Sequence, residues 1–271
     1  MPDPAYLFLY LVIGAAAGLT GGLLGVGGGL IIVPALVLAF THQGFAPVVL
    51  TQMALGTSLA TILFTSLSAV KAHHAHKAVR WELVRAIAPG LVIGTLAGAV
   101  VAHLLQGRTL QLAIGVFATL MGLRMFTGWQ FRSQDKEATP LPGRKGLAAG
   151  GGIIGVASAI FGIGGGSMTV PWLNHHGVRM QEAVATSSAC GIAIAVAGAI
   201  GFFSTGTQAA QMPPATLGYL YLPALIAISL TSMTTAQLGA KLAHRLPAAT
   251  LKKVFGVLLI VVGSHFIFGL H

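Results

Sequence analysis

The chain has 271 residues, of which 55% are hydrophobic and only 7% charged, with a net charge of +10 and one cysteine. A typical soluble domain carries about 25% charged residues, so this composition excludes a separate soluble domain, and the lone cysteine excludes intramolecular disulfides and cysteine metal clusters. The basic residues fall in loops and helix ends between apolar runs, where they anchor a protein to a cytoplasmic membrane face, and no basic stripe with interleaved aromatics argues for nucleic acid.

The N-terminal "MPDPAYLFLY" lacks a basic n-region, so the first apolar run is expected to be retained rather than cleaved as a signal peptide. That run, about 5–40, is interrupted by "GLLGVGGGLIIVP" starting at Gly22. Apolar helices are expected next at about 50–70, 83–105 and 109–127. A polar linker, "WQFRSQDKEATPLPGRK" (129–145), follows and is assigned to the cytoplasm. A second Gly-interrupted segment, about 147–174, carries "IFGIGGGSMTVP" from Ile160. Helices are then expected at about 183–204, 217–243 and 250–269. Runs of about 18 or more apolar residues can cross a hydrocarbon core of about 30 Å.

The two halves repeat. "GLTGGLLGVGGGLIIVPAL" from Gly18 aligns with "GVASAIFGIGGGSMTVPWL" from Gly155, and "GTSLA" from Gly56 with "ATSSA" from Ala185. Farther on, Gly98, His103, Thr109, Gly115 and Gly122 match Gly239, His244, Thr250, Gly256 and Gly263 without a gap. The expected organisation is a membrane repeat at 1–128, the linker at 129–145 and a second membrane repeat at 146–271.

Each Gly-interrupted segment is either one broken crossing or a hairpin that dips in and returns, because the arms from Gly29 to Phe40 and from Gly166 to Asn174 are too short to span at about 1.5 Å per residue. Positive charge separates the two. With hairpins and the N-terminus outside, every Lys and Arg except Arg108 lies inside. With single crossings, Arg179, Lys241, Arg245, Lys252 and Lys253 join Arg108 outside. The positive-inside rule favours hairpins. The expected fold is therefore an all-α polytopic integral membrane protein of two inverted-topology repeats, each a Gly-rich broken or re-entrant hairpin followed by three transmembrane helices.

Non-helical backbone survives at membrane depth only where it lines a polar cavity or is buried in protein. Two glycine tips entering from opposite faces would meet near the midplane. There, free amides and the start of the following short helix form a donor cluster suited to an anion. Helix packing alone is the competing reading of the glycines. Neither run has the Lys-Ser/Thr of a P-loop. The hydroxyls of Thr57, Ser58, Thr186, Ser187 and Ser188, near the start of the helix after each hairpin, could complete an anion cage, or could bond to their own helix backbone. Gln52 is a weaker candidate, and Asn174 reads as a helix cap.

Both glycine runs with their Val-Pro, the duplicated layout and the length resemble the sulfite exporter TauE/SafE family of membrane permeases. By that resemblance, Gly25, Gly27, Gly28, Gly29 and Pro34 match the first motif, and Gly162, Gly164, Gly165, Gly166 and Pro171 the second. It implies a permease, not an enzyme, that exports sulfite, sulfoacetate or a related organosulfur anion.

His73, His74 and His76 read as part of a basic cytoplasmic loop rather than a metal site, and His175 and His176 also fall in a loop. His103 and His244 occupy matching helix ends, with an interfacial structural role as the expectation, and Cys190 reads as a packing residue. No metal or cofactor is expected. The acids are Asp3, Glu82, Asp135, Glu137 and Glu182, none mid-helix, so a carboxylate relay for protons or sodium is not expected. Leaving a cell with an inside-negative potential, an anion gains about 2.3 kcal/mol per charge per 100 mV. The expectation is therefore a secondary transporter in the cell (inner) membrane. Its partners are a small anionic substrate and membrane lipid, and assembly into a homo-oligomer is left open. The alternatives are an importer or carrier of another small organic or inorganic anion or ion and, more remotely, an intramembrane enzyme or a structural membrane protein.

Overall fold

The computed structural model describes residues 3–24, 28–75, 78–105, 107–127, 140–242 and 248–268. Ten helices run through them: α1 (Pro4–Leu24), α2 (Gly29–His42), α3 (Pro47–Ala75), α4 (Trp81–Leu104), α5 (Gly107–Thr127), α6 (Arg144–Phe161), α7 (Gly166–His175), α8 (Met180–Gly206), α9 (Leu222–Leu242) and α10 (Ala248–Phe268). Six of them are long and apolar enough to cross a membrane: α1, α3, α4, α5, α8 and α9. Pro4 and Pro47 open α1 and α3, where a missing N–H costs no helical hydrogen bond. The chain is a multi-pass membrane protein. Large apolar side chains such as Phe8, Ile93, Leu104, Ile153 and Leu230 stand exposed on its outside, where hydrocarbon is their solvent.

Two boundaries differ most from expectation: α3, expected to end at about 70, continues to Ala75. The helix expected from residue 217 begins at Leu222, because "ATLGYLY" first makes a short antiparallel pair, β1 (Thr216–Leu217) with β2 (Leu220–Tyr221). Gly218 sits in its turn at φ +54, and a Cβ there would lie 2.8 Å from the Cα of Phe203. The apolar run hides a tight turn that only glycine fits.

In each half, a short helix folds back along the long helix before it. The Tyr6 hydroxyl donates to the His42 carbonyl (3.2 Å), and the Gln43 amide donates to the Tyr10 hydroxyl (2.5 Å). These bonds join the start of α1 to the end of α2. In the second half, a Cβ on Gly150 would lie 2.5 Å from the Trp172 ring, which places α7 beside α6.

The most extensive packing joins α4 to α6, α1 to α9, α5 to α10 and α3 to α8. Exchanging α1–α5 for α6–α10 turns each of these pairings into another of the set or into itself. Glycine contacts give the directions. Gly56 meets Phe202, Leu59 meets Gly198 and Ser66 meets Gly191, so α3 and α8 run antiparallel. Gly115 meets Phe266 and Gly122 meets Gly256, so α5 and α10 do too. By contrast, α4 runs parallel to α6, with Gly90, Gly94 and Gly98 against Ala148, Gly152 and Val156. Likewise α1 runs parallel to α9, with Gly14 and Gly18 against Ile228 and Ser232. Such small-residue seams let backbones approach in lipid, where apolar burial drives little association. The long arm of each hairpin is therefore packed on the other half, and the halves are intertwined.

Candidate functional site

The site is built on the two hairpin tips. Gly28 and Gly165 each precede the short returning helix, with φ, ψ of 73, −19 and 74, −15. This is left-handed backbone that favours glycine. In each tip its carbonyl accepts the first helical bonds, from Ile31 and Ile32 (3.0 and 3.2 Å) and from Met168 and Thr169 (3.0 and 2.7 Å). The amides of Gly29, Leu30, Gly166 and Ser167 come before those bonds, as the unpaired donors of a helix start do. The tips touch: a Cβ on Gly29 would collide with the Gly162 carbonyl and lie 3.0 Å from the Cα of Ile163. They meet against Leu55, Ser58 and Ile62, near the middle of α3.

Beside the tips is a cavity of about 400 Å³, counting the part open to its surroundings. Its walls are Gly18, Gly21 and Gly22 of α1, Thr65, Ser66 and Ala69 of α3, Gly164 and Gly166 of the second tip, Ser187 and Ser188 of α8, and Ala236 of α9. No wall residue is ionisable. A bound anion would therefore be held by neutral donors, namely hydroxyls, amides and the positive end of α7.

The hydroxyls singled out in the sequence divide into distinct roles. Thr57 accepts the backbone N–H of Tyr221 (3.0 Å), and its repeat mate Thr186 accepts that of Arg80 (3.1 Å). Each tethers the chain just before the helix that follows, α9 or α4. Ser58 donates to the Gly162 carbonyl (2.9 Å), tying α3 to the opposite tip. Ser188 donates to the Val184 carbonyl of its own helix (3.0 Å). Ser187 is 1% exposed, and its hydroxyl has no partner. Its hydrogen-bonding capacity is unspent.

Gly164, Gly166, Ser187 and Ser188 thus come together in the cavity, while Thr57, Ser58 and Thr186 are engaged around it. Gly28, Gly29, Gly162 and Gly165 shape the tips. Gly25 and Gly27 lie outside the described residues. Sequence reading missed Thr65, Ser66 and the α1 glycines as cavity walls. The signal was there in "TSLS" (65–68), a polar cluster two-thirds of the way along a crossing helix.

The other candidates are placed elsewhere. The Gln52 amide donates to the Leu105 carbonyl (3.2 Å), at the end of α4. Asn174 donates to the Val178 carbonyl (3.2 Å), and its own carbonyl accepts from Gly177, so it closes the turn after α7. His103 Nδ1 lies 3.0 Å from the Tyr219 hydroxyl, and His176 Nδ1 lies 2.9 Å from the Trp172 carbonyl. Burial pushes the Tyr219 and Tyr221 phenols above their ordinary value, so both stay neutral at physiological pH. Among the described residues, no three His, Cys, Asp or Glu side chains gather as a metal site. His73 and His74 lie in the last turn of α3 and His175 ends α7, so these three are helical rather than in loops; the side chains of His73 and His74, together with His76 and His244, lie outside the described set.

Comparisons with known proteins give the family. The model of the family described as Sulfite exporter TauE/SafE matches residues 10–266. The chain belongs to this family. It is 36% identical over 266 residues to a probable membrane transporter protein of Haemophilus influenzae, covering 95% of this chain and 96% of that one. It is 27% identical to the probable membrane transporter protein YunE of Bacillus subtilis, covering 96% and 97%. A further relative, the probable inner membrane transporter protein TsaS of Comamonas testosteroni, is 28% identical over 68% of this chain and 71% of its own. No solved structure matches. This TauE/SafE chain is a membrane transporter.

Proposed function

We propose that this TauE/SafE transporter exports a small sulfur-containing oxyanion, sulfite or an organosulfonate, across the cell membrane without ATP or a coupled ion. The observation that carries the reading is the unpartnered Ser187 hydroxyl in a charge-free cavity beside the start of α7. An oxyanion presents several acceptors at once. Ser187 and Gly166, whose hydroxyl and amide are potential donors, both line that end of the cavity. The family description supports sulfite as the type of substrate.

The same reading orients the protein. The two halves are taken as inverted copies, which the antiparallel packing of α3 on α8 and of α5 on α10 supports. The end of the bundle bearing Lys71, Arg80 and Arg179 faces the cytoplasm. The cavity lies on that side of the tips, so it loads from inside. Efflux then runs down the inside-negative potential.

Binding is the direct test. Titrating purified protein with sulfite, sulfoacetate, thiosulfate and chloride should give saturable heat with at least one sulfur anion and none with chloride. Ser187→Ala should weaken that affinity about 10- to 100-fold, the worth of one hydrogen bond to a charged group. Equal affinity in Ser187→Ala would remove the site from this cavity.

A further inference from the structure

The cavity has a mate. Carried through the internal repeat, its walls Gly21, Ala236, Ser187, Ser188, Thr65 and Ala69 correspond to Ser158, Thr95, Ser58, Leu59, Ile194 and Gly198. There the space is closed. Ser158, Thr95, Ser58, Leu59 and Ile194 are all 0% exposed. Leu59 fills the gap at Gly198, whose Cβ would lie 2.8 Å from Leu59 Cδ1. Ile194 presses on the second tip, with Cδ1 2.5 Å from where a Gly165 Cβ would stand. Ser58 bolts the tip down through the Gly162 carbonyl.

Three hydroxyls are stranded in this closed region. Thr95, Ser158 and Thr169 are each fully buried, and none has a hydrogen-bond partner. Ser158 Oγ and Thr169 Oγ1 converge on one point, 3.6 and 3.3 Å from the Cβ position of Gly165. Helical Ser and Thr ordinarily satisfy themselves on a carbonyl one turn back, as Thr65, Ser188 and Thr205 do here. Buried hydroxyls without partners are uncommon and call for an explanation. A pair of equivalent spaces, one open and one collapsed, supplies it.

We propose that Thr95, Ser158 and Thr169 form a second oxyanion half-site, collapsed in this state. It opens toward the opposite membrane face when the Ser187 cavity closes. The proposal rests on the anion-transport reading for its ligand, and on the repeat for its geometry. Leu59 and the Ser58–Gly162 bond are the latch of the closed side. The anion passes between half-sites at the touching tips, and only one side is open at a time.

Single-cysteine accessibility tests this in membrane vesicles of both orientations, with a membrane-impermeant maleimide and Cys190→Ala as background. Ser66→Cys should label from one face only, and Thr95→Cys and Ser158→Cys from neither. Adding Leu59→Ala should raise labelling of Thr95→Cys and Ser158→Cys at least 10-fold, from the face opposite to Ser66→Cys. Labelling of Ser66→Cys should fall in the same variant. A local void left by the lost leucine would expose Thr95→Cys while leaving Ser66→Cys unchanged, and that result would overturn the proposal. So would labelling of all three from one face, or no labelling of Thr95→Cys and Ser158→Cys under any condition. The isosteric Ser158→Cys guards against misfolding at Thr95. Sulfoacetate, which does not consume maleimide, should slow labelling at both half-sites. Reciprocal labelling that sulfoacetate leaves untouched would keep the alternation and instead defeat the sulfonate reading.

Discussion

At Ser187 and Ser58, two repeat-equivalent serines do different work, and single substitutions separate them. Ser187→Ala removes a hydroxyl that has no partner, so stability should change little, within about 0.5 kcal/mol, while anion affinity falls. Ser58→Ala strips the Gly162 carbonyl of its buried donor, which costs about 1–3 kcal/mol. Thermal unfolding of the detergent-solubilised variants checks both, and equal melting shifts would contradict the division. Gly165→Ala combines left-handed backbone, about 1–2 kcal/mol for a side chain, with a clash on Ile194. Ile194→Val beside it should restore part of the lost stability but not all, since it relieves the clash alone. The sequence pointed to these positions through duplication, because the same Thr-Ser pair recurs after each glycine tip. It was silent on which hydroxyl was free. That depends on whether the opposite tip or a neighbouring loop arrives with a backbone group, and a contact over a hundred residues apart in sequence leaves no local pattern.

Among the elements, the glycine seam between α4 and α6 makes an asymmetric prediction. A Cβ on Gly94 would overlap the Gly152 carbonyl, whereas a Cβ on Gly152 meets nothing nearer than the Gly90 carbonyl at 3.9 Å. Gly94→Ala should therefore destabilise by about 1–3 kcal/mol through overpacking. Gly152→Ala should be neutral or stabilising by up to about 1 kcal/mol, the helix propensity gained. Melting temperatures of the two variants decide it, and similar losses at both would show that the seam is not packed as described. Helix number and extent were legible because apolar runs in lipid are long and little interrupted. The start of α9 was not. Gly218 and its neighbours are as apolar as the helix they precede, so hydropathy passes over the turn. The hairpin of α1 on α2 was inferred from charge alone, and its reality rests on polar pairs such as Tyr6 with His42 that no composition reveals.

Across the whole molecule, the long arm of each hairpin lies on the opposite half, along the α4–α6 and α1–α9 seams. This is the arrangement expected if one anion cavity opens only as its mate closes. It also means that neither half contains its own complete core. Expressed alone, residues 1–128 should fail to give a monodisperse protein, and co-expression with 146–271 should restore it. Size-exclusion chromatography reads the outcome, and a well-behaved isolated half would contradict the intertwined packing. The resemblance to the TauE/SafE family was visible in the paired glycine runs with their Val-Pro. The cavity was not, because its walls come from five helices of both halves, and Thr65, Ser66, Ala69 and Ala236 carried no motif.

The central claim is that a sulfur oxyanion crosses this protein through the Ser187 cavity, driven by voltage. The measurement that tests it most directly is anion flux in proteoliposomes under a clamped potential, with sulfite, sulfoacetate, thiosulfate and chloride in parallel. Wild type and Ser187→Ala would be compared, with and without collapse of proton and sodium gradients. Flux of a sulfur anion should saturate, scale with voltage and ignore the collapsed gradients. Its KM should be about 10- to 100-fold higher in Ser187→Ala. Flux that stops when a proton or sodium gradient is removed at fixed voltage, or that is indifferent to Ser187, would contradict it.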